Sequence, residues 1–511
     1  MLSLGMIFGY QMNEKDESPL ITSMGHLPEA VAPMGQIEEL IRFVETKYVD
    51  TTDGAALTDA AINAILQQLD PHSIYISKEQ LQRVNQEMDG SFYGIGIETF
   101  YINDTVHVIQ AVPDGPAAKV GLQPYDKIIM INDSLVAGVG LKFSQIEDMI
   151  RGELGDKLDL VVENQQGQPR TVGVFVGDIP LRSIDIATNI SPEVGYVKIN
   201  RFSSTTYKEF MDHFEEMYEA GTKHMIIDLR GNPGGYLPQA TNILSQLFKE
   251  KGNLLVYTEG RKGQKIEYKT TGKPFFDVDR IAVLIDEGSA SGSEIIAGAI
   301  QEWDRGIIIG RRSFGKGLVQ EQYPLGNGGA LRLTVAKYYT PSGRSIQKSY
   351  TDLDSYDEDI HDRIVTGELY AADTTASDGQ KLHQTLVLGR SVVAGGGISP
   401  DVFVPIDSFE LDMDYLRAAD YVAQSTFDYL RKHPEQSANG ATTAILEAVL
   451  AQVEDGNTAK RFQAELQDDI AAVLVRYTEG EEAMFKSTMT DDKCIIEALK
   501  YINGSVELDE L

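Results

Sequence analysis

An α/β chain of several domains is predicted by three observations. Two continuous apolar runs, His224-Met225-Ile226-Ile227-Asp228-Leu229-Arg230 and Ile281-Ala282-Val283-Leu284-Ile285, each end in a Gly- or Ser-rich turn and lead into a segment with helical spacing, as buried strands joined by helices do. Residues 90–178 carry strand-like alternation, whereas both ends of the chain carry helical spacing. A length of 511 residues corresponds to about three domains.

Composition bounds the partners. Hydrophobic content of 42% and charged content of 24% are those of a globular protein with a sizeable core. The net charge of −32 opposes binding to nucleic acid or to an anionic membrane surface. One cysteine, Cys494, excludes an internal disulfide and a Cys-based metal cluster.

Residues 1–34 read as a terminal segment and linker. Met1 to Met12 is apolar but too short to span a bilayer, and it lacks a basic start, so it reads as the trailing end of a trimmed export or anchor segment or as a loose terminus. Residues 35–89 form a helical region: Ile37, Leu40, Ile41, Phe43 and Val44 share one helical face, and Leu57, Ala60, Ala61, Ile65 and Leu66 a second. His72, in the turn Leu69-Asp70-Pro71-His72-Ser73, reads as structural.

Residues 90–178 are a separate unit. The Gly-containing loop Tyr93-Gly94-Ile95-Gly96 precedes the strand around Val106 to Ile109, a short helix at Pro116 to Leu122 and the strand Lys127 to Ile131. That order resembles a PDZ domain, in which such a loop offers successive N–H groups to a peptide's C-terminal carboxylate while the peptide pairs with a sheet edge. The resemblance implies that Tyr93, Gly94, Ile95 and Gly96 bind the carboxylate. Arg151 could signal peptide occupancy to the site of chemistry.

Residues 179–408 form an αβ core, and its chemistry concentrates in Asp286 to Gln320. A serine at the strand-to-helix corner Ser289-Ala290-Ser291-Gly292-Ser293-Glu294 lies at a helix N-terminus, where free N–H groups favour negative charge. None of the eight histidines falls within this stretch; one could still arrive from far away in sequence, but the nearer candidate base is Lys316, in Gly315-Lys316-Gly317. An amine with an ordinary pKa of about 10.4 serves as a base only when desolvation brings it to roughly 7–8. Ile307, Ile308, Ile309 and Phe314 suggest apolar surroundings, and Gln320 could hold the amine by an amide bond without adding charge.

Other readings of these residues compete. A plain βαβ unit with a surface lysine uses the same pattern. Gly310 to Lys316 fits the phosphate loop G-x-x-x-x-G-K, but Gly317 stands where magnesium binding needs Ser or Thr. Ser313-x-x-Lys316 imitates another Ser/Lys pair, although Gly315 and Gly317 oppose the helical turn it requires.

The ordered motifs resemble the C-terminal processing peptidases, or tail-specific proteases, over roughly residues 37–405. Their nucleophile motif S-A-S-A-S-E matches Ser289 to Glu294 with Gly292 in place of Ala, and their G-K-G-x-x-Q matches Gly315 to Gln320. The resemblance implies a core of the ClpP/crotonase type with an inserted PDZ domain. It makes Ser291 the nucleophile, Lys316 the general base and Gln320 the orienting third member. Ser289 and Ser293 are the alternatives for the nucleophile, and Ser293 is expected to cap the helix. The run Asp228-Leu229-Arg230-Gly231-Asn232-Pro233-Gly234-Gly235 resembles the family's oxyanion element, so the oxyanion falls to the N–H of Gly234 or Gly235 together with that of Gly292.

The implied activity is a serine endopeptidase acting on protein or peptide substrates with exposed C-termini through an acyl-enzyme, with no metal and no cofactor. The alternative is a catalytically idle PDZ scaffold that binds protein tails. The resemblance further implies export to the periplasm or cell envelope, a membrane tether at the N-terminus, and a homodimer or higher homo-oligomer. An acidic insertion at 350–380 reads as a solvated loop, and residues 409–511 as a helical region with a packing or oligomerisation role.

Overall fold

The computed structural model describes residues 35–371, 381–433, 440–453 and 459–510. The readings made for residues 1–34 and for the end of the acidic insertion lie outside these. The chain divides after Ile65 into two compact units. In the first, α1 (Gly35–Lys47) carries its apolar face without burying any residue, leaving Ile37, Leu40 and Phe43 exposed. The Asp53 carboxylate accepts the N–H groups of Ala55 and Ala56 and so starts α2 (Gly54–Leu66).

The second unit holds the core. After β1 (Ile74–Ile76), Ser77 and Gln80 form a capping box that opens α3 (Lys78–Asp89), and Gly90 at φ 84° closes it. The next strands are β2 (Ser91–Gly94), β3 (Ile97–Ile102), β4 (Thr105–Ala111), β5 (Lys127–Ile131), β6 (Ser134–Leu135), β7 (Lys157–Glu163), β8 (Pro169–Phe175) and β9 (Gly177–Pro180), with short α4 (Pro116–Lys119) and α5 (Phe143–Ile150). Strands β3-β4-β5-β7-β8 make one antiparallel sheet, with β6 on β5, over a core of Ile95, Val106, Ile128, Ile146 and Leu160. Its entry and exit strands β2 and β9 pair with each other, so the domain leaves the chain path and returns beside its point of departure.

The central sheet runs β10 (Ile184–Ser191), β11 (Val194–Ile199), β12 (His224–Asp228), β15 (Ile281–Ile285), β16 (Ile307–Gly310), β21 (Val402–Phe403). Between these in sequence lie α6 (Thr206–Glu219), α7 (Leu237–Gln246), β13 (Lys251–Gly260), β14 (Lys265–Thr271) and α8 (Gly292–Glu302). All neighbours from β11 onward are parallel. Burial on both faces explains the unbroken apolar runs of β15 and β16. One face packs on α6, α7 and α8 through Phe210, Phe214, Ile243, Leu244, Ile296 and Ile300.

A second, antiparallel sheet orders β1-β18-β13-β14, with β17 (Leu318–Pro324) on β18 (Ala330–Tyr339). The β17/β18 register pairs Gln320 with Thr334, and β1 pairs along the same β18 at Arg332.

The acidic insertion departs from the loop expected. Among the described residues it forms α9 (Leu353–Asp357) and α10 (Asp359–Thr366), the Asp352 carboxylate capping the first. Its buried Arg363 donates to the carbonyls of Arg312 and Ser313, so a segment dominated by charge nonetheless braces the loop before Lys316. Short β19 (Leu382–Gln384) and β20 (Ser391–Val393) pair beyond it.

The C-terminal helices divide between two tasks. α11 (Met413–Ala419), α12 (Val422–Lys432), α13 (Ala441–Leu450) and α14 (Gln463–Glu479) share a core of their own. From α12 Phe427 reaches the PDZ-like domain, with ring centroids 5.3 Å from Phe100 and 5.1 Å from Tyr125, while Tyr477 of α14 lies 6.2 Å away. α15 (Glu481–Thr488) stacks Phe485 on Tyr196 at 4.3 Å. α16 (Lys493–Ile502) covers the other face of the central sheet, setting Ile495, Ala498 and Ile502 against Ile226, Leu284 and Ile309.

Candidate active site

Three adjacent parallel strands feed one edge. The loops after β12, β15 and β16 all leave carboxyl ends, the edge at which open α/β sheets form ligand sites. They carry Gly234 and Gly235, Ser291, and Lys316 respectively.

Ser291 is the last residue before α8 and has φ 52°, ψ −109°. Such a backbone costs a non-glycine residue about 1–3 kcal/mol and persists only where its surroundings hold it. Its N–H donates to Glu294 Oε2 at 2.8 Å, and its carbonyl accepts the Tyr338 hydroxyl at 3.0 Å. The flanking serines are fully buried and their hydroxyls are committed: Ser289 donates to the Leu229 carbonyl at 2.8 Å, Ser293 to the Asn232 carbonyl at 2.9 Å. Ser291 alone of the three keeps partial exposure. The expectation that Ser293 caps the helix is corrected, because α8 begins at Gly292, which makes Ser291 the capping position and leaves Ser293 inside the first turn.

Gly234, at φ 98°, lies against the serine so closely that a Cβ there would stand 2.6 Å from Ser291 Cβ. Its N–H donates to Asn232 Oδ1 at 2.8 Å. The N–H groups of Gly235 and Gly292 have no protein acceptor among the described residues. A Cβ on Gly292 would meet the Phe202 ring at 3.0 Å, which accounts for glycine at a position where the resembling motif has alanine.

Lys316 follows β16 in an extended loop with no helix, so neither the phosphate loop nor the helical Ser313/Lys316 pair is formed. The Ser313 hydroxyl is buried and donates to Glu294 Oε1 at 2.6 Å. Burial holds the Lys316 ammonium below its ordinary range, and Arg332 acts in the same direction, while Glu294 and Asp70 oppose. That is the direction in which a lysine base must be shifted. His72 faces the same amine: burial, then the Lys316 charge, lowers its imidazole to about 4, and its Nε2 is 2.7 Å from the Tyr356 hydroxyl. Gln320 donates through Nε2 to Thr334 Oγ1 at 3.3 Å.

Two residues not singled out as site residues from sequence fasten these parts. The fully buried Glu294 carboxylate accepts the N–H groups of Ser291 and Lys316 on one oxygen, each at 2.8 Å, so the two backbone nitrogens lie within twice that distance. Its other oxygen accepts from Ser313 and from the Gly315 N–H at 2.8 Å. Burial pushes this carboxyl up to about 7 against those four donors. The Tyr338 hydroxyl bonds the Ser291 and Lys316 carbonyls together. Glu294 had a signal in the Ser-Glu step of the motif, whereas Tyr338 had none. Behind the site, buried Asp228 is bound by Arg230, which also bonds Asp492 at the start of α16.

In the PDZ-like domain, Tyr93 and Gly94 end β2, Ile95 enters the core and Gly96 turns at φ 73° into β3. β3 lies at one edge of its sheet. Arg151 lies 5.6 Å over the Phe92 ring and, with Tyr93, Arg83 and Asp148, lines a cavity of about 330 Å³.

Known proteins bear on this arrangement directly. The profile of peptidase family S41 matches residues 193–356, and a PDZ domain profile matches residues 107–164. The carboxy-terminal-processing protease of Bartonella bacilliformis is 36% identical over 322 residues, covering 62% of this chain and 72% of that protein. The carboxy-terminal processing protease CtpB of Bacillus subtilis is 33% identical over 322 residues, covering 62% of this chain and 66% of its own length. A solved photosystem II D1 C-terminal processing protease aligns with 72% of this chain and 87% of its own at 25% identity and a TM-score of 0.37. A serine at a strained helix start, a lysine below its ordinary range and a PDZ domain therefore occur in a chain that belongs to the carboxy-terminal-processing serine peptidases of family S41.

Proposed function

We propose that Ser291, Lys316 and Gln320 carry out the peptidase reaction on protein tails held by the PDZ domain. Lys316 Nζ takes the Ser291 hydroxyl proton, Oγ attacks a peptide carbonyl, and the N–H groups of Gly292 and Gly235 receive the oxyanion. Gly234, whose N–H is given to Asn232, shapes this pocket by packing on the serine. The Lys316 ammonium returns its proton to the leaving amine, the amine form then deprotonates water, and the ester to Ser291 is hydrolysed. The observation that carries the reading is the shared Glu294 oxygen, which binds the backbones of the serine and the lysine side by side.

The C-terminal carboxylate of the substrate is assigned to the loop Tyr93-Gly94-Ile95-Gly96, with the preceding residues pairing along the open edge of β3 and Arg151 reporting occupancy. Export to the periplasm or cell envelope, with a tether from the apolar N-terminal residues, rests on the family's habit. No helix among the described residues is long and apolar enough to cross a membrane. The exposed face of α1 supports assembly into a homodimer or higher oligomer.

A fluorophosphonate probe combined with digestion of a tailed peptide tests the chemistry. Labelling at Ser291 and loss of cleavage in Ser291→Ala and Lys316→Ala are expected; cleavage that survives both substitutions refutes the assignment, whereas a parent protein that neither labels nor cleaves leaves the PDZ-scaffold reading. Amidation of the peptide's C-terminus should slow turnover, and an unchanged rate refutes tail recognition.

A further inference from the structure

Gln320 matters to a lysine base through which end of its amide faces the amine. We infer that Asp70 is a positioning residue of the reaction, fixing the orientation of the Gln320 amide by way of the Thr334 hydroxyl. The inference rests on the assignment of Lys316 and Gln320 given above.

Asp70 is 7% exposed, and its carboxylate accepts four hydrogen bonds. Three come from its own turn: the N–H groups of His72 at 2.9 Å and Ser73 at 3.0 Å, and the Ser73 hydroxyl at 2.6 Å. The fourth comes from Thr334 Oγ1 at 3.0 Å across to β18, where Ser73 Oγ also accepts the Thr334 N–H at 3.1 Å. A hydroxyl carries one proton, and that of Thr334 is spent on Asp70. Toward Gln320, Thr334 can therefore only accept, and the amide must present its NH2 end, as it does at 3.3 Å. The cross-strand register that opposes Gln320 to Thr334 keeps the two in reach.

The amide oxygen is then the end left to the amine. An oxygen accepts a hydrogen from the ammonium and from the free amine alike. An NH2 end would instead compete for the lone pair that receives the serine proton. A turn far from the nucleophile in sequence thus selects the chemistry offered at Lys316.

Steady-state cleavage of a tailed peptide by the full chain tests this. Thr334→Val removes the hydroxyl and should lower kcat by about 5- to 10-fold with KM within about twofold. Thr334→Ser should restore it. In a Gln320→Ala background Thr334→Val should cost less than about twofold more, because the two act in series. Asp70→Asn should lower the kcat plateau and move the acid limb of kcat/KM to lower pH, since it deletes a negative charge that favours the ammonium while Glu294, Arg332 and His72 still face that amine. Full additivity of Thr334→Val with Gln320→Ala, or an acid limb unmoved in Asp70→Asn, overturns the inference. Those outcomes with Ser291→Ala and Lys316→Ala inactive leave the Ser/Lys assignment standing, whereas activity in both of the latter removes that assignment itself.

Discussion

Replacing Tyr338 by Phe deletes one buried oxygen and leaves the ring. That oxygen binds the carbonyls of the nucleophile and of the base, and the side chain is 1% exposed, so no water replaces it. Burial, aided by the Glu294 carboxylate, pushes the phenol well above its ordinary value. Its raised position means that the bond is present at neutral pH and is lost only as pH rises through the folded value. Leaving buried acceptors short of a partner costs about 1–3 kcal/mol. For a domain of about 150–250 residues that corresponds to about 2–4 °C in Tm for each kcal/mol. The two loops are fastened to each other through this group, so kcat should fall by about 10-fold or more. KM should hold, because the hydroxyl is enclosed and touches no substrate. Calorimetry together with steady-state cleavage reads both quantities. A Tm within about 1 °C of the parent combined with an unchanged kcat would refute the claim that this hydroxyl ties the serine loop to the lysine loop.

Other perturbations act on neighbouring parts. Arg332→Gln removes a positive charge that, after burial, holds the Lys316 amine down, so its pKa rises and the acid limb of kcat/KM moves to higher pH. Gly234→Ala places a methyl group 2.6 Å from Ser291 Cβ at φ 98°, so a loss of about 1–3 kcal/mol or more and a drop in probe labelling are expected by calorimetry and mass spectrometry. Phe427→Ala opens the contact between α12 and the PDZ sheet at a cost of about 3–5 kcal/mol, giving a separate, earlier calorimetric transition. Burial beside that ring lowers His107 to about 4, with Arg431 and Lys127 adding and Asp428 opposing. The sign follows: this contribution to stability is present above pH about 6.5 and is lost as pH falls through about 4, so acid should weaken the same contact.

The sequence showed local signals and missed the distant partners. β15 and β16 were legible because strands buried on both faces have no polar alternation to obscure them. Ser291 was legible because a helix start leaves a local signature in small and capping residues. Separating it from Ser289 and Ser293 on physical grounds needed the carbonyls of Leu229 and Asn232, which arrive from the loop after β12. Tyr338 and Asp70 reach the site through antiparallel pairing of β18, a register set by tertiary contact and invisible to periodicity. The acidic insertion was misread because net charge outweighed two short helices whose informative residues, Tyr356 and Arg363, are the buried ones. The face of α16 was readable from Ile495, Ala498 and Ile502, but an amphipathic helix does not name the surface it will cover.

That last helix ties distant parts of the chain to the sheet that carries the site. Arg230 is shared between Asp228, at the end of a central strand, and Asp492, at the start of α16. A nascent chain that has emerged only as far as β21 already contains Ser291 and Lys316. It still has one face of its central sheet bare, and its Arg230 lacks the second carboxylate. The strands that present the serine and the lysine are thus sealed on this face by a segment that lies well downstream of both in the chain.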